Sequence, residues 1–206
     1  MAGPVERVAA PEVQPSPVDV FITVGTDKHP FDRLSVWLDS WLAGRGDQAP
    51  LRCMCQTGNS RPPQGAEHHD YLGYEQMEAA VRAARVIVTH GGPATIMLAV
   101  ALGKRPVVVP RMHALGEHVD DHQRAFARRV AAEGAVFLAE TEEEFRANLD
   151  GLLSGRLSAR AKVSPGVGPE RTVQRFERLV DGLFAPREEA TGTPGTVVDL
   201  ARRPPT

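Results

Sequence analysis

Cysteine, aromatic residues and net charge are all scarce in this chain. Its 206 residues include two cysteines, aromatic residues make up 5% of them, and the formal net charge is -2. Two thiols cannot form a disulfide framework, and a near-neutral chain lacks the clustered basic surface that binds a nucleic-acid backbone. No run approaches the roughly 20 apolar residues that span a bilayer. These shortages argue against a disulfide-stapled miniprotein, a membrane-spanning helix and a nucleic-acid partner.

The two cysteines, Cys53 and Cys55, alternate within the apolar segment 51–57. Side chains two residues apart on a strand point to the same face, so both thiols would enter one side of a sheet. A metal site would need two further ligands. We therefore expect a reduced, buried pair.

Segments of strand length and helix length alternate through the middle of the chain, which predicts an α/β fold with a Rossmann-like doubly wound parallel sheet. We expect strands near 18–24, 51–57, 86–89, 106–110 and 135–138, and helices near 31–43, 75–84, 93–102, 119–133 and 141–153. The expected domain, 18–185, would end in an amphipathic helix at 170–184. A leader at 1–17 and a tail at 186–206 are poor in core residues and are predicted to be disordered.

The most informative segment is the β-branched run 85–89 followed by the turn 90–93, His-Gly-Gly-Pro. The run predicts a buried parallel strand, and Pro93 opens an apolar helix that would end at Gly103. A helix that starts at the carboxyl end of a strand directs backbone donors and its positive dipole end into a crevice. The turn therefore predicts a phosphate site in which His90 supplies a neutral donor or a positive charge. The alternative is a tight strand-to-helix turn without a ligand.

A long polar loop follows the next apolar run. Residues 106–110 predict a second buried strand, and the loop 111–123 leaves the same edge of the sheet. This loop carries Asp121 and Gln123, whose side chains can reach the hydroxyl groups of a sugar attached to the phosphate. The two segments together predict half of a nucleotide-sugar site.

Five segments of the chain also occur in a recognisable order. They are a first strand with its glycine turn, the end of a second strand, a Tyr-Leu-Gly-Tyr segment, the His-Gly-Gly turn and a His/Asp/Gln stretch, at 20–26, 56–58, 71–74, 90–92 and 118–123. Together they resemble the donor-binding half of GT-B glycosyltransferases of family 28, over residues 18–153. The chain looks most similar to the small cytosolic subunits of two-subunit, membrane-associated UDP-sugar transferases.

The resemblance implies a role for each candidate site residue. Backbone groups of Gly73 and Tyr74 would meet the uracil, and Asp121 and Gln123 would bind the transferred sugar. The diphosphate would lie against Gly25, Thr26, His90, Gly91 and Gly92. His90 would stabilise the leaving group as negative charge develops on it. No Asp-x-Asp motif lies at this crevice, and the resemblance implies a reaction that needs neither a metal nor another cofactor.

The resemblance further implies an inverting transfer of a hexosyl group from a UDP-sugar to a lipid-linked, polyprenyl-type acceptor in cell-surface glycan synthesis. Single-chain enzymes of the family need two Rossmann-like domains, and this chain has room for one. A membrane-associated partner subunit would therefore bind the acceptor and supply the catalytic base. The chain itself would be cytoplasmic and held at the inner face of the membrane through that partner.

One position departs from the family pattern. In the family, the helix after the pyrophosphate turn usually carries a glutamate that holds both ribose hydroxyls, and by spacing Leu98 stands there. Losing such charge-assisted bonds costs about 1.5–3 kcal/mol each, or at least about tenfold in affinity. Thr95 or a partner residue would have to replace the carboxylate. Otherwise the chain is a non-catalytic stabilising or regulatory subunit that has lost donor binding.

Two groups of polar residues leave alternatives open. His118 and His122 have a spacing that can share one helix face as metal ligands, although the metalloprotease motif needs glutamate where Val119 stands. Asp27 and His29, in the loop after the first strand, are either catalytic groups or part of the loop structure and domain interface.

Three arginines of the helix expected at 119–133 would share an exposed face: Arg124, Arg128 and Arg129. This face is either solvated or a contact for anionic lipid or a partner.

Overall fold

The computed structural model describes residues 17–161. Its elements follow in the order β1 (Val18–Thr23), α1 (Asp32–Ala43), β2 (Cys53–Gln56), β3 (Glu67–His69), α2 (Tyr74–Ala83), β4 (Ala84–Thr89), α3 (Pro93–Ala101), β5 (Val107–Val108), a 3₁₀ turn (His113–Leu115), α4 (His122–Ala132), β6 (Phe137–Leu138) and α5 (Glu142–Leu153). All pairs of neighbouring strands are parallel, in the order β3-β2-β1-β4-β5-β6. Helices cover both faces, which confirms the predicted Rossmann-like doubly wound sheet. None of the helices in this part of the chain is long and apolar enough to cross a membrane.

The two faces of the sheet carry side chains of different size. On one face, α1 and α5 pack with large aromatic residues, and the rings of Trp37 and Phe145 lie 5.9 Å apart. On the other face, α2, α3 and α4 pack in two clusters built mainly from valine, alanine and isoleucine. α3 contributes Ile96 to one cluster and Ala99 to the other. The helix that follows the His-Gly-Gly turn is therefore anchored from both sides.

β3 is a strand that the sequence does not predict. Its residues, Glu67, His68 and His69, are polar and exposed, so no hydrophobic pattern marks them. They pair with β2 as the edge strand of the sheet. β5 and β6 are shorter than expected, at two residues each.

The helix expected at 119–133 begins only at His122. Asp120 explains the late start, because its Oδ1 accepts the His122 N–H at 3.0 Å and stabilises a turn ahead of the helix. His118 consequently lies in the loop before α4. The helix expected at 170–184, the tail and the leader up to residue 16 lie outside the described residues, so these predictions and the domain boundaries stay predictions.

Both cysteines of β2 face the side of the sheet that α1 and α5 cover, as the alternation predicts. Burial raises the pKa of the Cys53 thiol to about 11 and that of the Cys55 thiol to about 12. Both thiols therefore stay protonated at neutral pH.

Candidate functional site

β1 and β4 lie side by side at the centre of the sheet, where the strand order reverses. A crevice forms at the carboxyl edge at such a point. The His90 N–H donates to the Thr23 carbonyl oxygen at 3.2 Å, and the Thr23 hydroxyl donates to Gln56 Oε1 at 3.2 Å. The Gly25 N–H donates to the Thr23 hydroxyl oxygen. These buried bonds connect the ends of β1, β2 and β4 and fix the floor of the crevice.

The His90 ring lies between two glycines, in contact with the backbone of both loops. A Cβ at Gly25 would lie 2.5 Å from His90 Cε1, and a Cβ at Gly92 would collide with His90 Nε2. The φ angles of Gly25 and Gly91 are +79° and +97°, in the region that favours glycine. Gly25 and Gly92 are thus needed for the packing of the imidazole and Gly91 for the conformation of the turn, whether or not a ligand is present.

The imidazole of His90 is 8% exposed. Burial and, to a smaller extent, the charge of Arg111 lower its pKa to about 4. The ring is therefore neutral at pH 7. Of the two states that the sequence left open, a neutral donor or a positive charge, the structure favours the neutral donor.

The N-terminus of α3 is open. Gly92 is its N-cap, no side chain caps it, and its first turn carries no acidic residue. Backbone amides in the first turn of an α-helix have no partner inside the helix, and the helix dipole adds to their attraction for an anion. Thr95 is half-buried in this turn, and Thr26 is exposed in the neighbouring loop. An anion bound here would meet backbone donors beside a neutral imidazole.

Arg111 and Glu117 form a buried network that the sequence analysis missed. The Arg111 side chain is 0% exposed and donates to the carbonyl oxygens of Val24, His29 and Glu117, at 2.7–2.8 Å. The Glu117 carboxylate accepts two hydrogen bonds from Arg33 and one from the Met112 N–H, each at 2.8 Å. Arg111 thereby joins the loops that follow β1 and β5. Its only sequence signal is its position directly after a buried strand.

The two residues expected at the sugar differ in their surroundings. Asp121 is exposed, and its Oδ1 accepts the His113 N–H at 3.1 Å. Gln123 is half-buried, its backbone oxygen lies 3.9 Å from the position of a Cβ on Gly91, and its Oε1 is buried without a hydrogen-bond partner among the described residues. Gln123 therefore lies beside the glycine turn, and its Oε1 is an unpaired hydrogen-bond acceptor among the described residues.

The residues expected at the uracil lie at the start of α2. Gly73 is the N-cap of this helix, its N–H donates to Gln76 Oε1 at 2.9 Å, and its carbonyl accepts the Met77 N–H. Both backbone groups of Gly73 are therefore engaged within the chain. Tyr74 follows in the first turn of the helix and is 72% exposed. Backbone amides in the first turn of a helix have no partner inside the helix, so of the two residues Tyr74 is the one whose N–H is left for a ligand.

Leu98 is half-buried and lies one turn beyond Thr95 on α3. It packs with Leu72 and Met77 against the cluster between α2, α3 and the sheet. Leu72, which directly precedes Gly73, packs against the same cluster. Leu98, which the spacing predicts at the glutamate position of the family, makes an apolar contact here.

The structure bears on two further hypotheses, the metal site at His118 and His122 and the exposed arginine face of α4. Since α4 begins at His122, His118 and His122 do not share a helix face, and the premise of the metal hypothesis is wrong. Across residues 17–161, no three His, Cys, Asp or Glu side chains are grouped so that they could hold a metal ion. Arg124 and Arg128 both form ion pairs with Glu140, so this one carboxylate offsets part of the charge of the predicted arginine face.

The glycosyltransferase family 28 C-terminal domain matches residues 20–168 of this chain. Two relatives share the name UDP-N-acetylglucosamine--N-acetylmuramyl-(pentapeptide) pyrophosphoryl-undecaprenol N-acetylglucosamine transferase. The protein of Shewanella frigidimarina (strain NCIMB 400) is 34% identical over 121 residues, 58% of this chain and 30% of the relative. That of Shewanella loihica (strain ATCC BAA-1088 / PV-4) is 35% identical over 106 residues, 51% of this chain and 26% of the relative. The chain spans less than a third of the length of either.

Solved structures share the fold. The solution structure of ALG13 superposes with a TM-score of 0.53 at 17% identity, over 80% of this chain and 95% of that one. The glycotransferase of kitacinnamycin superposes with a TM-score of 0.50 at 20% identity, over 88% of this chain and 44% of that one. The family match includes the described strands and helices except for the first two residues of β1. The chain therefore belongs to the glycosyltransferase family 28 C-terminal domain family, with the fold of one half of a GT-B enzyme.

Proposed function

We propose that this chain is the donor-binding subunit of an inverting glycosyltransferase that moves a hexosyl group from a UDP-sugar to a lipid-linked, polyprenyl-type acceptor. The observation that carries the proposal is the open N-terminus of α3 beside a buried, neutral His90. This arrangement suits a diphosphate, because backbone donors and the helix dipole stabilise negative charge without a proton change. The names of the two Shewanella relatives support a nucleotide-sugar donor and an undecaprenol-linked acceptor.

The site residues have distinct roles in this proposal. The leaving diphosphate would lie against Gly25, Thr26, Gly91, Gly92 and the His90 ring. Thr95 would face the ribose, Tyr74 and the backbone near Gly73 the uracil, and Gln123 and Asp121 the sugar. Backbone donors and the helix dipole would then provide the charge stabilisation that a divalent cation provides in other transferases.

A partner subunit is part of the proposal. The chain matches less than a third of the length of its relatives, and in our proposal a second domain presents the acceptor. We place that domain on a membrane-associated partner and this chain at the cytoplasmic face of the membrane, in cell-surface glycan synthesis.

Leu98 supports a second candidate function. An apolar side chain at the ribose position cannot accept hydrogen bonds from the hydroxyls, and it packs against the apolar cluster between α2, α3 and the sheet instead. A chain without donor affinity would act as a non-catalytic subunit that stabilises or regulates its partner. This candidate and the first predict opposite results for nucleotide binding.

The test is a calorimetric titration of the chain with UDP and with ADP. We expect UDP to bind selectively and His90→Ala to weaken binding by about tenfold or more, because it removes a preorganised donor. His68→Ala, at an exposed histidine of β3, is the matched control and should bind UDP normally. Absence of binding to the chain alone and to its complex with the partner would support the non-catalytic role.

A further inference from the structure

Four side chains alternate along one line at the carboxyl edge of the sheet: His29, Asp27, His118 and Asp120. His29 Nδ1 lies 2.5 Å from Asp27 Oδ1, His118 Nε2 lies 3.7 Å from Asp27 Oδ2, and His118 Nδ1 lies 3.3 Å from Asp120 Oδ1. The first two residues belong to the loop after β1 and the last two to the loop after β5. Because β4 lies between β1 and β5, this line extends across the end of the strand that carries His90.

Hydrogen bonds hold both the backbone and the ring of His29. Asp27 Oδ1 accepts its backbone N–H at 2.8 Å as well as its ring nitrogen, and Arg111 donates to its carbonyl oxygen at 2.7 Å. The same Arg111 holds the carbonyl of Val24, next to the glycine that packs on His90. The ring of His29 is thus fixed in orientation relative to the glycine turn.

The tautomer of His29 follows from its partner. Burial alone would raise the pKa of Asp27, but hydrogen bonds from His29 and the charge of Arg111 outweigh burial and hold that pKa below its usual value. An ionised carboxylate only accepts hydrogen bonds, so Nδ1 of His29 carries a proton, and the neutral ring holds its lone pair on Nε2. The side chain is 27% exposed, so the ring is partly accessible from solvent. A histidine oriented by a carboxylate is the arrangement of a general base.

We propose that His29 is the general base of the transfer, positioned by Asp27. This inference rests on the proposed function. The acceptor hydroxyl oxygen forms a bond to the anomeric carbon while its proton moves to His29 Nε2. The bond from the anomeric carbon to the diphosphate oxygen breaks, and its electron pair leaves with UDP at the glycine turn. His29 then releases the proton to solvent. The base is thereby a residue of this chain, whereas the family resemblance implies one on the partner.

The proposal has a consequence that needs no partner. With no acceptor present, water can occupy the place of the hydroxyl, and His29 should activate it. The chain alone should then release UDP slowly from a UDP-hexose. UDP release would be followed with UDP-glucose, UDP-galactose, UDP-N-acetylglucosamine and UDP-glucuronate, together with calorimetric UDP binding and thermal unfolding of each variant.

We expect His29→Gln to reduce UDP release by at least about 100-fold, as removal of a general base does, with UDP affinity and unfolding temperature near those of the unsubstituted chain. In His29→Gly, added imidazole should restore release, which a purely structural role would not permit. His122→Gln is the matched control, since His122 also pairs with an aspartate, at 2.8 Å, but is 76% exposed.

Three results would contradict parts of the argument separately. Release by His29→Gln at the unsubstituted rate would overturn the role of His29. UDP binding without UDP release from any of the four donors would also overturn the role of His29 and would indicate that the partner supplies the general base. Failure of the unsubstituted chain and its complex to bind UDP would instead overturn the proposed function.

Discussion

Two arginine–glutamate clusters lie at the carboxyl edge of the sheet, and they differ in burial. In the central cluster, Glu117 is 5% exposed and pairs with Arg33, close to Arg111. In the outer cluster, Glu140 follows β6 and pairs with Arg124 and Arg128 at the surface. The hydrogen-bond distances are similar, but the clusters have different consequences.

Burying charged groups is unfavourable unless their hydrogen bonds are made in a fixed geometry. In the central cluster, the charged groups bind backbone atoms: Arg111 donates hydrogen bonds to three carbonyl oxygens, and Glu117 accepts one from the Met112 N–H. In the outer cluster, the hydrogen bonds of Glu140 to both arginines join side chains only. Ion pairs near the crevice therefore determine loop conformation, whereas those at the outer edge contribute little beyond solubility.

Substitution of Glu117 should produce the largest effect. Glu117→Gln should lower the free energy of unfolding by about 3–5 kcal/mol, because the Arg33 guanidinium would stay buried without its counter-charge. Urea denaturation at pH 7 measures this difference. A loss of unfolding free energy below about 1 kcal/mol would be that of a surface ion pair and would contradict the contrast between the two clusters.

His90, whose pKa Arg111 helps to lower, should make stability depend on pH. The histidine pKa is near 6.5 in the unfolded chain and about 4 in the folded one, so on acidification the unfolded state takes up the proton first. The associated stability is present above pH 6.5 and is lost as the pH falls toward 4, by about 3 kcal/mol. Urea denaturation across this range should show that loss in the unsubstituted chain but not in His90→Gln. Parallel curves would mean that the folded ring titrates normally.

Leu98→Glu tests the crevice through its affinity for UDP and should have an intermediate effect. A carboxylate at this position should increase UDP affinity about tenfold, because it can accept both ribose hydroxyls. Calorimetry with 2′,3′-dideoxy-UDP is the control and should show no gain. An equal gain for both nucleotides would mean that residue 98 does not face the ribose.

Glu140→Gln should have the smallest effect, a loss of about 0–1 kcal/mol in the free energy of unfolding, because its pairs are exposed to solvent. Urea denaturation alongside Glu117→Gln gives the direct contrast. If both variants lose the same amount, burial does not separate the clusters.

Much of the fold follows from hydrophobic pattern. The runs that became β1, β2 and β4 are apolar and β-branched or bounded by turns, and Thr141 with Glu144 forms the capping box that starts α5. β3 was not predicted because an exposed edge strand of Glu-His-His carries no apolar pattern. The start of α4 was not predicted because the hydrogen bond from the His122 N–H to the Asp120 carboxylate outweighs local helix propensity.

The candidate site was predictable only in part, for a related reason. Glycines and a histidine between a strand and a helix mark the turn, so His90, Gly91 and Gly92 stand out in the sequence. That Gly25, 65 positions away from His90, closes the other side of the same ring depends on the neighbouring placement of β1 and β4. Arg111 is similar, because its partners are carbonyl oxygens, which no residue type encodes.

The inert thiols of β2 make the chain suitable for site-selective labelling. Cys53 and Cys55 are buried and protonated at neutral pH, and reagents that attack thiolates in solution will not reach them. The sequence holds no other cysteine. A cysteine introduced at Val119, which is 62% exposed beside His118, would be the one reactive thiol in the chain. A fluorophore attached there would report nucleotide binding in the otherwise native sequence.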